Sequence, residues 1–224
     1  MKINHRLIIG GIISLLIIGG VVLIASNKAS APEPNPAASN SATPAAQPDT
    51  NSNETPKLII GNPAAKLTIV EYGDFQCPFC EQFFRQTEPQ LLSEYINTSK
   101  AKLEFRVETH IGEESVLAGE AAYCANDQKA FKPYHYELYK RQEGYNSGTF
   151  SNVNLKRIAG DLKLDQVAFD TCLDSHKYLS TVQASHAEAQ QKGVTSTPTI
   201  FIGDRKVSGA QPFSVYKALI DAQL

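Results

Sequence analysis

The chain has 224 residues, a formal net charge of −2 at pH 7 and an isoelectric point near 6.2. This weakly acidic balance gives no reason to expect a nucleic-acid partner, which usually meets a clearly basic surface. The four cysteines are too few for a small fold stabilised mainly by disulfides, and an apolar content of 42% is sufficient for an ordinary core.

An uncharged, apolar segment extends from Leu7 to Ala25, after the basic residues Lys2 and Arg6. As a helix it would span about 28 Å at ~1.5 Å per residue, close to the hydrocarbon thickness of a bilayer. The preceding basic residues predict that the N-terminus is cytoplasmic and that the rest of the chain is exported. We therefore predict a cytoplasmic stub and a single-pass transmembrane anchor in residues 1–25. The alternative is a cleaved signal peptide with small residues at 29–31, which also predicts export.

Residues 26–56 form a segment rich in proline, alanine and serine. Such a segment buries too little apolar surface to offset the entropy lost on ordering, so we predict a disordered linker. Its prolines are Pro32, Pro34, Pro36, Pro44, Pro48 and Pro56.

The remaining residues, 57–224, read as one α/β domain. Strands are predicted from β-branched residues, alternation and flanking turns at residues 57–60, 67–72, 102–107, 199–202 and 206–208. Helices are predicted at residues 81–97, 115–126, 130–141, 152–162, 165–173, 178–192 and 212–222. The order predicts one sheet closed by strands on both sides of a helical insertion at about residues 112–192.

Cys77 and Cys80 stand at a predicted junction between a strand and a helix. A sulfur at a helix N-terminus meets free N–H groups and the positive end of the helix dipole, which favour the thiolate. The second sulfur lies about one turn further along and is shielded by the helix. Pro78 suits the first helical turn, where an N–H is not needed. The spacing predicts a dithiol/disulfide switch.

Zinc is the main alternative for two cysteines at this spacing. A structural zinc ion usually takes four cysteine or histidine ligands, often in two close pairs. No second pair is present at short spacing, so we predict redox chemistry, with no metal and no cofactor. The other candidate ligands are scattered along the chain: Cys124, Cys172, His110, His135, His176 and His186.

Pro198 lies at the start of a predicted strand, where its missing N–H disturbs no ladder hydrogen bond. A cis peptide bond before proline is uncommon in folded proteins, at about 5–6%. If the Thr197–Pro198 bond is cis, the Thr197 backbone is free to pair with an extended polypeptide. The placement of this proline relative to Cys77 favours the cis form.

Three segments, residues 70–80, 119–125 and 193–201, together resemble DsbA-like thiol:disulfide oxidoreductases of the thioredoxin superfamily. The resemblance covers about residues 57–224 and implies a thioredoxin-like fold with an inserted helical block. It implies an exported enzyme on the outer side of a bacterial cell membrane. Such an enzyme oxidises reduced or unfolded exported proteins and is reoxidised by a membrane redox partner. A reductase or isomerase, or a redox-inert chaperone or accessory module, is the alternative.

The resemblance also implies roles for individual residues. Cys77 is the expected nucleophile, Cys80 the resolving cysteine and Pro198 the cis-proline. The residues expected to contact substrate are Thr197, Pro198, Pro78 and Phe79. Phe79 replaces the histidine of the best-known members, which leaves the oxidising strength of the pair open.

Glu71 lies before Cys77, on the predicted strand that leads into the cysteine pair. In related enzymes an acid here is buried and assists proton transfer for the second cysteine. The alternative is an exposed glutamate at a strand end, since alternation does not decide its face.

Cys124 and Cys172 remain as a pair in an oxidising compartment, and some related proteins carry a similar extra disulfide. We predict a structural disulfide, with separate thiols or a redox relay as alternatives. Phe75, Phe79 and Phe83 are expected to form an apolar collar for substrate, although Phe83 fits the core equally well.

Overall fold

The computed structural model describes residues 56–224, which contain a five-stranded mixed sheet in the order β1–β3–β2–β4–β5. Strands β2 and β3 are parallel, and the other neighbours are antiparallel. The strands are β1 (Leu58–Ile60), β2 (Leu67–Gly73), β3 (Ala101–Val107), β4 (Thr199–Ile202) and β5 (Arg205–Ser208).

Five of the helices lie between β3 and β4 and form the predicted insertion. The α/β, thioredoxin-like fold with a helical insertion is therefore confirmed. The helical elements are α1 (Pro78–Gln86), α2 (Glu88–Leu91), a π-helical turn (Leu92–Ile96), α3 (Glu113–Asp127), α4 (Phe131–Lys140), α5 (Asn152–Asp161), α6 (Gln166–Asp174), α7 (Leu179–Gln191) and α8 (Phe213–Asp221).

The single helix predicted at residues 81–97 is wrong. The helix begins earlier, at Pro78, ends at Gln86, and is followed by α2 and the π-helical turn. Pro89 has no N–H with which to continue the hydrogen-bond ladder of α1, so the chain restarts at Thr87. The Thr87 carbonyl accepts hydrogen bonds from the N–H groups of Gln90 and Leu91, each at 3.1 Å.

The two faces of β2 pack into separate apolar clusters. Ile69 belongs to the main core, whereas Tyr72 packs with Ala189 and Val194 on the opposite face. Because side chains alternate along a strand, Glu71 shares the face of Ile69 and points into the main core. Gly73 ends the strand without a side chain because a Cβ there would lie 2.6 Å from the ring of Phe105.

Helices α3 and α6 are joined by a disulfide between Cys124 and Cys172, whose Cα atoms are 5.9 Å apart. Both cysteines are buried, at 1% and 8% exposure. The bond closes a loop between cysteines that are 48 positions apart and links two helices of the insertion covalently.

The predicted anchor in residues 1–25 lies outside the described residues, as does the predicted linker apart from Pro56. Within the part of the chain from residue 56 onward, no helix has the length and apolar character needed to cross a bilayer.

Candidate active site

Cys77 lies in the turn between β2 and α1 and forms the N-cap of that helix. Its N–H donates to the Asp74 carbonyl at 3.0 Å, and its carbonyl accepts from the Glu81 N–H at 3.0 Å. The Cys77 side chain keeps 6% exposure, whereas Cys80 has none. Both thiols are free in this structure. A reacting partner can therefore approach Cys77 but not Cys80.

The Thr197–Pro198 peptide bond is cis and lies beside Cys77. Strand β4 pairs with β2, with Thr199 opposite Tyr72, so the residues before β4 meet the loop that follows β2. The Cys77 Sγ lies 3.3 Å from the Thr197 carbonyl oxygen. Sheet pairing thus brings residues 120 positions apart to one site.

The two thiols have opposite electrostatic environments. A hydrogen bond from the Cys80 thiol is the largest influence on Cys77 and lowers its pKa to about 6, although partial burial opposes it. The Thr197 side chain and the N–H groups of Phe79 and Cys80 lower it further. Burial raises the pKa of Cys80 well above its ordinary value. At neutral pH the pair therefore holds one thiolate, on the accessible sulfur.

Alkylation of the reduced protein should report this thiolate. We expect the rate with iodoacetamide to rise with pH through a midpoint at about 6, far below that of an ordinary thiol. The folded-state pKa lies below the unfolded value of 9.0, so the thiolate's stabilisation of the reduced fold is complete above pH 9. This stabilisation of the reduced fold is lost as the pH falls through 6. In the alkylation experiment, a midpoint of the rate above pH 8 would contradict the assignment of the thiolate to Cys77.

Glu71 is buried, with 1% exposure, and lies close enough to Cys77 and Cys80 for their charges to interact. Within residues 56–224, neither of its carboxylate oxygens has a hydrogen-bond partner. Burial, followed by the charges of Glu88 and Cys77, raises the pKa of Glu71 well above its ordinary value. The raised pKa favours the protonated carboxyl group, which is the form that a proton donor needs. The alternative of an exposed glutamate at a strand end does not hold.

The expected aromatic collar is wrong for Phe75, and Phe83 takes the core position that was its alternative. Phe75 and Phe83 are at most 1% exposed, and only Phe79 is accessible, at 59%. The Phe75 ring stacks on that of Phe105 with ring centroids 4.9 Å apart, and the Phe83 and Tyr216 rings form a T-shaped pair with centroids 5.4 Å apart. The exposed surface next to Cys77 is therefore made by Pro78 and Phe79.

Gln142, which the sequence analysis missed, holds the cysteine loop from the helical insertion. Its side-chain amide donates to the carbonyl oxygens of Phe75 at 2.5 Å and Cys77 at 3.2 Å. No local pattern could have indicated this contact, because the partners are 65 or more residues apart.

A second set of hydrogen bonds fixes Gln76, the residue before Cys77. Its side-chain Nε2 donates to Ser115 Oγ at 2.9 Å, and its side-chain Oε1 accepts from the Asn146 N–H at 2.5 Å. The Asp74 carboxylate accepts from the Ser115 hydroxyl at 2.7 Å and from the Gln76 N–H at 2.8 Å. The helical insertion therefore positions the loop that carries Cys77.

Comparisons with known proteins agree with this geometry. A family model described as thioredoxin matches residues 53–222. Disulfide bond formation protein D of Bacillus subtilis (strain 168) is 25% identical over 173 residues, covering 74% of this chain and 76% of that protein. Probable disulfide bond formation protein D of Bacillus anthracis is 29% identical over 170 residues, covering 74% and 77%. The crystal structure of oxidised BdbD from Bacillus subtilis has a TM-score of 0.69 at 24% identity, covering 75% of this chain and 92% of that chain.

Proposed function

Because the chain belongs to the thioredoxin family and is a DsbA-like homologue of protein disulfide oxidoreductases, we propose that it is a dithiol oxidase forming disulfides in exported proteins. The observation that carries the proposal is the asymmetry of the cysteine pair. Cys77 is accessible with a pKa lowered to about 6, and Cys80 is buried with a raised pKa. A stabilised Cys77 thiolate favours the reduced enzyme and makes its disulfide oxidising.

The reaction begins from the enzyme with a Cys77–Cys80 disulfide. A substrate thiolate attacks the Cys77 sulfur, forming a mixed disulfide and releasing Cys80, which leaves with a proton from Glu71. A second substrate thiolate attacks the substrate sulfur of the mixed disulfide and releases the Cys77 thiolate. Two electrons pass from the substrate dithiol to the enzyme. A membrane redox partner then reoxidises the pair.

Substrate binding in this proposal uses the backbone next to the cis-proline. The Thr197 backbone pairs with an extended segment of a reduced or unfolded polypeptide, beside Pro198. Exposed Pro78 and Phe79 provide a small apolar contact next to the reacting sulfur. Such a surface accepts many sequences, because main-chain hydrogen bonds do not depend on side-chain identity.

Glu71 donates a proton to Cys80 as that sulfur leaves. We expect Glu71→Gln to slow reduction of the enzyme disulfide by about 100-fold, the lower end of general acid–base catalysis. Stopped-flow reduction by a dithiol peptide measures the rate, and its pH profile should lose one titration. Glu94→Gln, at a side chain that is 44% exposed, is the matched control and should leave the rate unchanged. Equal rates for the wild type and Glu71→Gln would exclude this role.

The reduction potential of the Cys77–Cys80 couple, equilibrated with glutathione, tests the direction of electron flow. We expect a value between about −120 and −200 mV, the range of oxidising members of the superfamily. A value near about −270 mV, which is typical of reducing thioredoxins, would favour the reductase alternative. The oxidase should also restore activity to a reduced, unfolded protein that requires disulfides.

Export and membrane anchoring complete the proposal. The disulfide between Cys124 and Cys172 supports an oxidising compartment, because such bonds rarely persist in the cytoplasm. The N-terminal apolar segment supports a single-pass anchor with the enzyme domain outside the cytoplasm. In intact cells, a thiol reagent that cannot cross membranes should label reduced Cys77.

A further inference from the structure

Glu108, His110 and His186 form a cluster outside the dithiol site. Glu108 and His110 follow the end of β3, and His186 lies on α7. Each residue offers one ligand atom, and these atoms all lie within 4.8 Å of one another. In position the cluster borders the active-site loop, because the Glu108 N–H donates to the Gly73 carbonyl at 2.8 Å.

Both imidazole rings direct a nitrogen at the same carboxylate oxygen. His186 Nδ1 contacts Glu108 Oε1, and His110 Nε2 lies 3.7 Å from it. The ring centroids are 5.5 Å apart with an interplanar angle of 81°. Two nitrogens and one oxygen therefore converge on one small volume.

The second carboxylate oxygen of Glu108 provides an independent observation. Glu108 is 0% exposed, and its Oε2 has no hydrogen-bond partner within residues 56–224. Its Oε1 accepts the Thr109 N–H at 2.9 Å. Burying a carboxylate is costly unless it is paired, hydrogen-bonded or bound to a metal. A cation bound by the carboxylate through Oε2 as well as Oε1 would give this unpartnered oxygen a ligand role.

We propose that Glu108, His110 and His186 bind a zinc ion. Two imidazoles with one carboxylate suit zinc, whereas calcium and magnesium prefer oxygen ligands. Tetrahedral zinc needs ligands at about 2.0–2.2 Å, so neighbouring ligand atoms lie roughly 3.4 Å apart. His110 Nε2 is already near this spacing, at 3.7 Å from Glu108 Oε1, whereas His186 Nδ1 must move away from Oε1 to admit the ion. The histidine side chains are 37% and 29% exposed, which leaves room for that movement. The fourth position remains open to water.

Gln190 supports the site from behind His186. Its side-chain amide lies 2.9 Å from His186 Nε2. With Nδ1 bound to the ion, Nε2 carries the proton, and the Gln190 carbonyl oxygen accepts it after rotation of the amide. Such an outer partner fixes the tautomer and orientation of a metal-binding histidine.

Zinc binding to the purified full-length chain, oxidised so that Cys77 and Cys80 are joined, tests the proposal. Oxidation removes the thiols as competing ligands. By competition with a chromophoric chelator we expect one zinc ion per chain. His110→Gln and His186→Gln should each weaken binding by more than about 100-fold, since loss of an outer-shell partner alone costs ~10–100-fold. Zinc should also raise the melting temperature of the wild type but not of these variants.

His176→Gln is the matched control. His176 also contacts a buried glutamate, with Nδ1 3.1 Å from Glu120 Oε1, but it belongs to no three-ligand cluster found in residues 56–224. This variant should bind zinc as the wild type does. Absence of zinc binding by the oxidised wild type, or equal affinity in the His110 and His186 variants, would overturn the proposal. The result is independent of the direction of electron flow at Cys77.

Discussion

Replacing Cys77 with serine is expected to reduce the oxidation of a reduced substrate protein to the uncatalysed rate. A serine hydroxyl cannot form the mixed disulfide, and the remaining thiol of Cys80 has 0% exposure and a raised pKa. The measurement is the rate at which a reduced, unfolded protein regains activity with catalytic amounts of enzyme. A Cys77→Ser variant that lost this oxidation but kept full biological activity in cells would establish the redox-inert chaperone or accessory module instead.

Cys80→Ser is the informative partner of that variant. It keeps the accessible Cys77 but lacks the sulfur that would release a bound thiol. We expect it to form a stable mixed disulfide with an activated disulfide peptide, visible by mass spectrometry. Cys77→Ser should form almost none with the same reagent, because Cys80 is buried. Equal trapping by both variants would contradict the assigned order of reaction.

Among the proposed substitutions, removing the disulfide of the helical insertion is expected to cause the largest loss in the free energy of unfolding. The bond closes a loop with a sequence separation of 48, for which loop-closure entropy corresponds to about 4 kcal/mol. For a domain of this size, that loss lowers the melting temperature by roughly 8–16 °C. Urea unfolding of Cys124→Ala/Cys172→Ala measures the change. The Cys77 thiolate midpoint should stay near pH 6, because the disulfide lies between α3 and α6.

A control for this experiment uses the Cys77→Ser/Cys80→Ser background, in which reductant can act only on the Cys124–Cys172 bond. Strong reductant should lower the stability of this background by a similar amount. A loss below about 1 kcal/mol in both experiments would show that the bond contributes little to the folded state.

Several local features of this protein followed from the sequence because the information lies in neighbouring residues. The redox pair is indicated by spacing at a junction between a strand and a helix, and the helical insertion by periodicity. The thioredoxin-like arrangement followed from the order of elements together with three short segments. Local reasoning failed at the helix after Cys80, where the effect of Pro89 on the hydrogen-bond ladder was missed.

The sequence by itself determined which chemistry is present, namely two cysteines at a helix start with a proline before a strand. Only the tertiary structure decided which side chains serve that chemistry. Alternation along β2 places Glu71 on the same face as Ile69 but does not tell which face meets the core. The burial of Glu71 could therefore be read only from the packing of helices against the sheet. The same limit applies to Phe75, whose exposure depends on packing by distant helices.

Contacts between distant segments were also decided by tertiary structure alone. Gln142 holds the Cys77 loop across 65 positions, and His186 meets Glu108 across 78 positions. His110 and His186 have no metal-ligand spacing along the chain, but β3 and α7 bring them together in space. A pattern of neighbouring residues records the local backbone, but a site built from separate elements depends on how the sheet and helices pack.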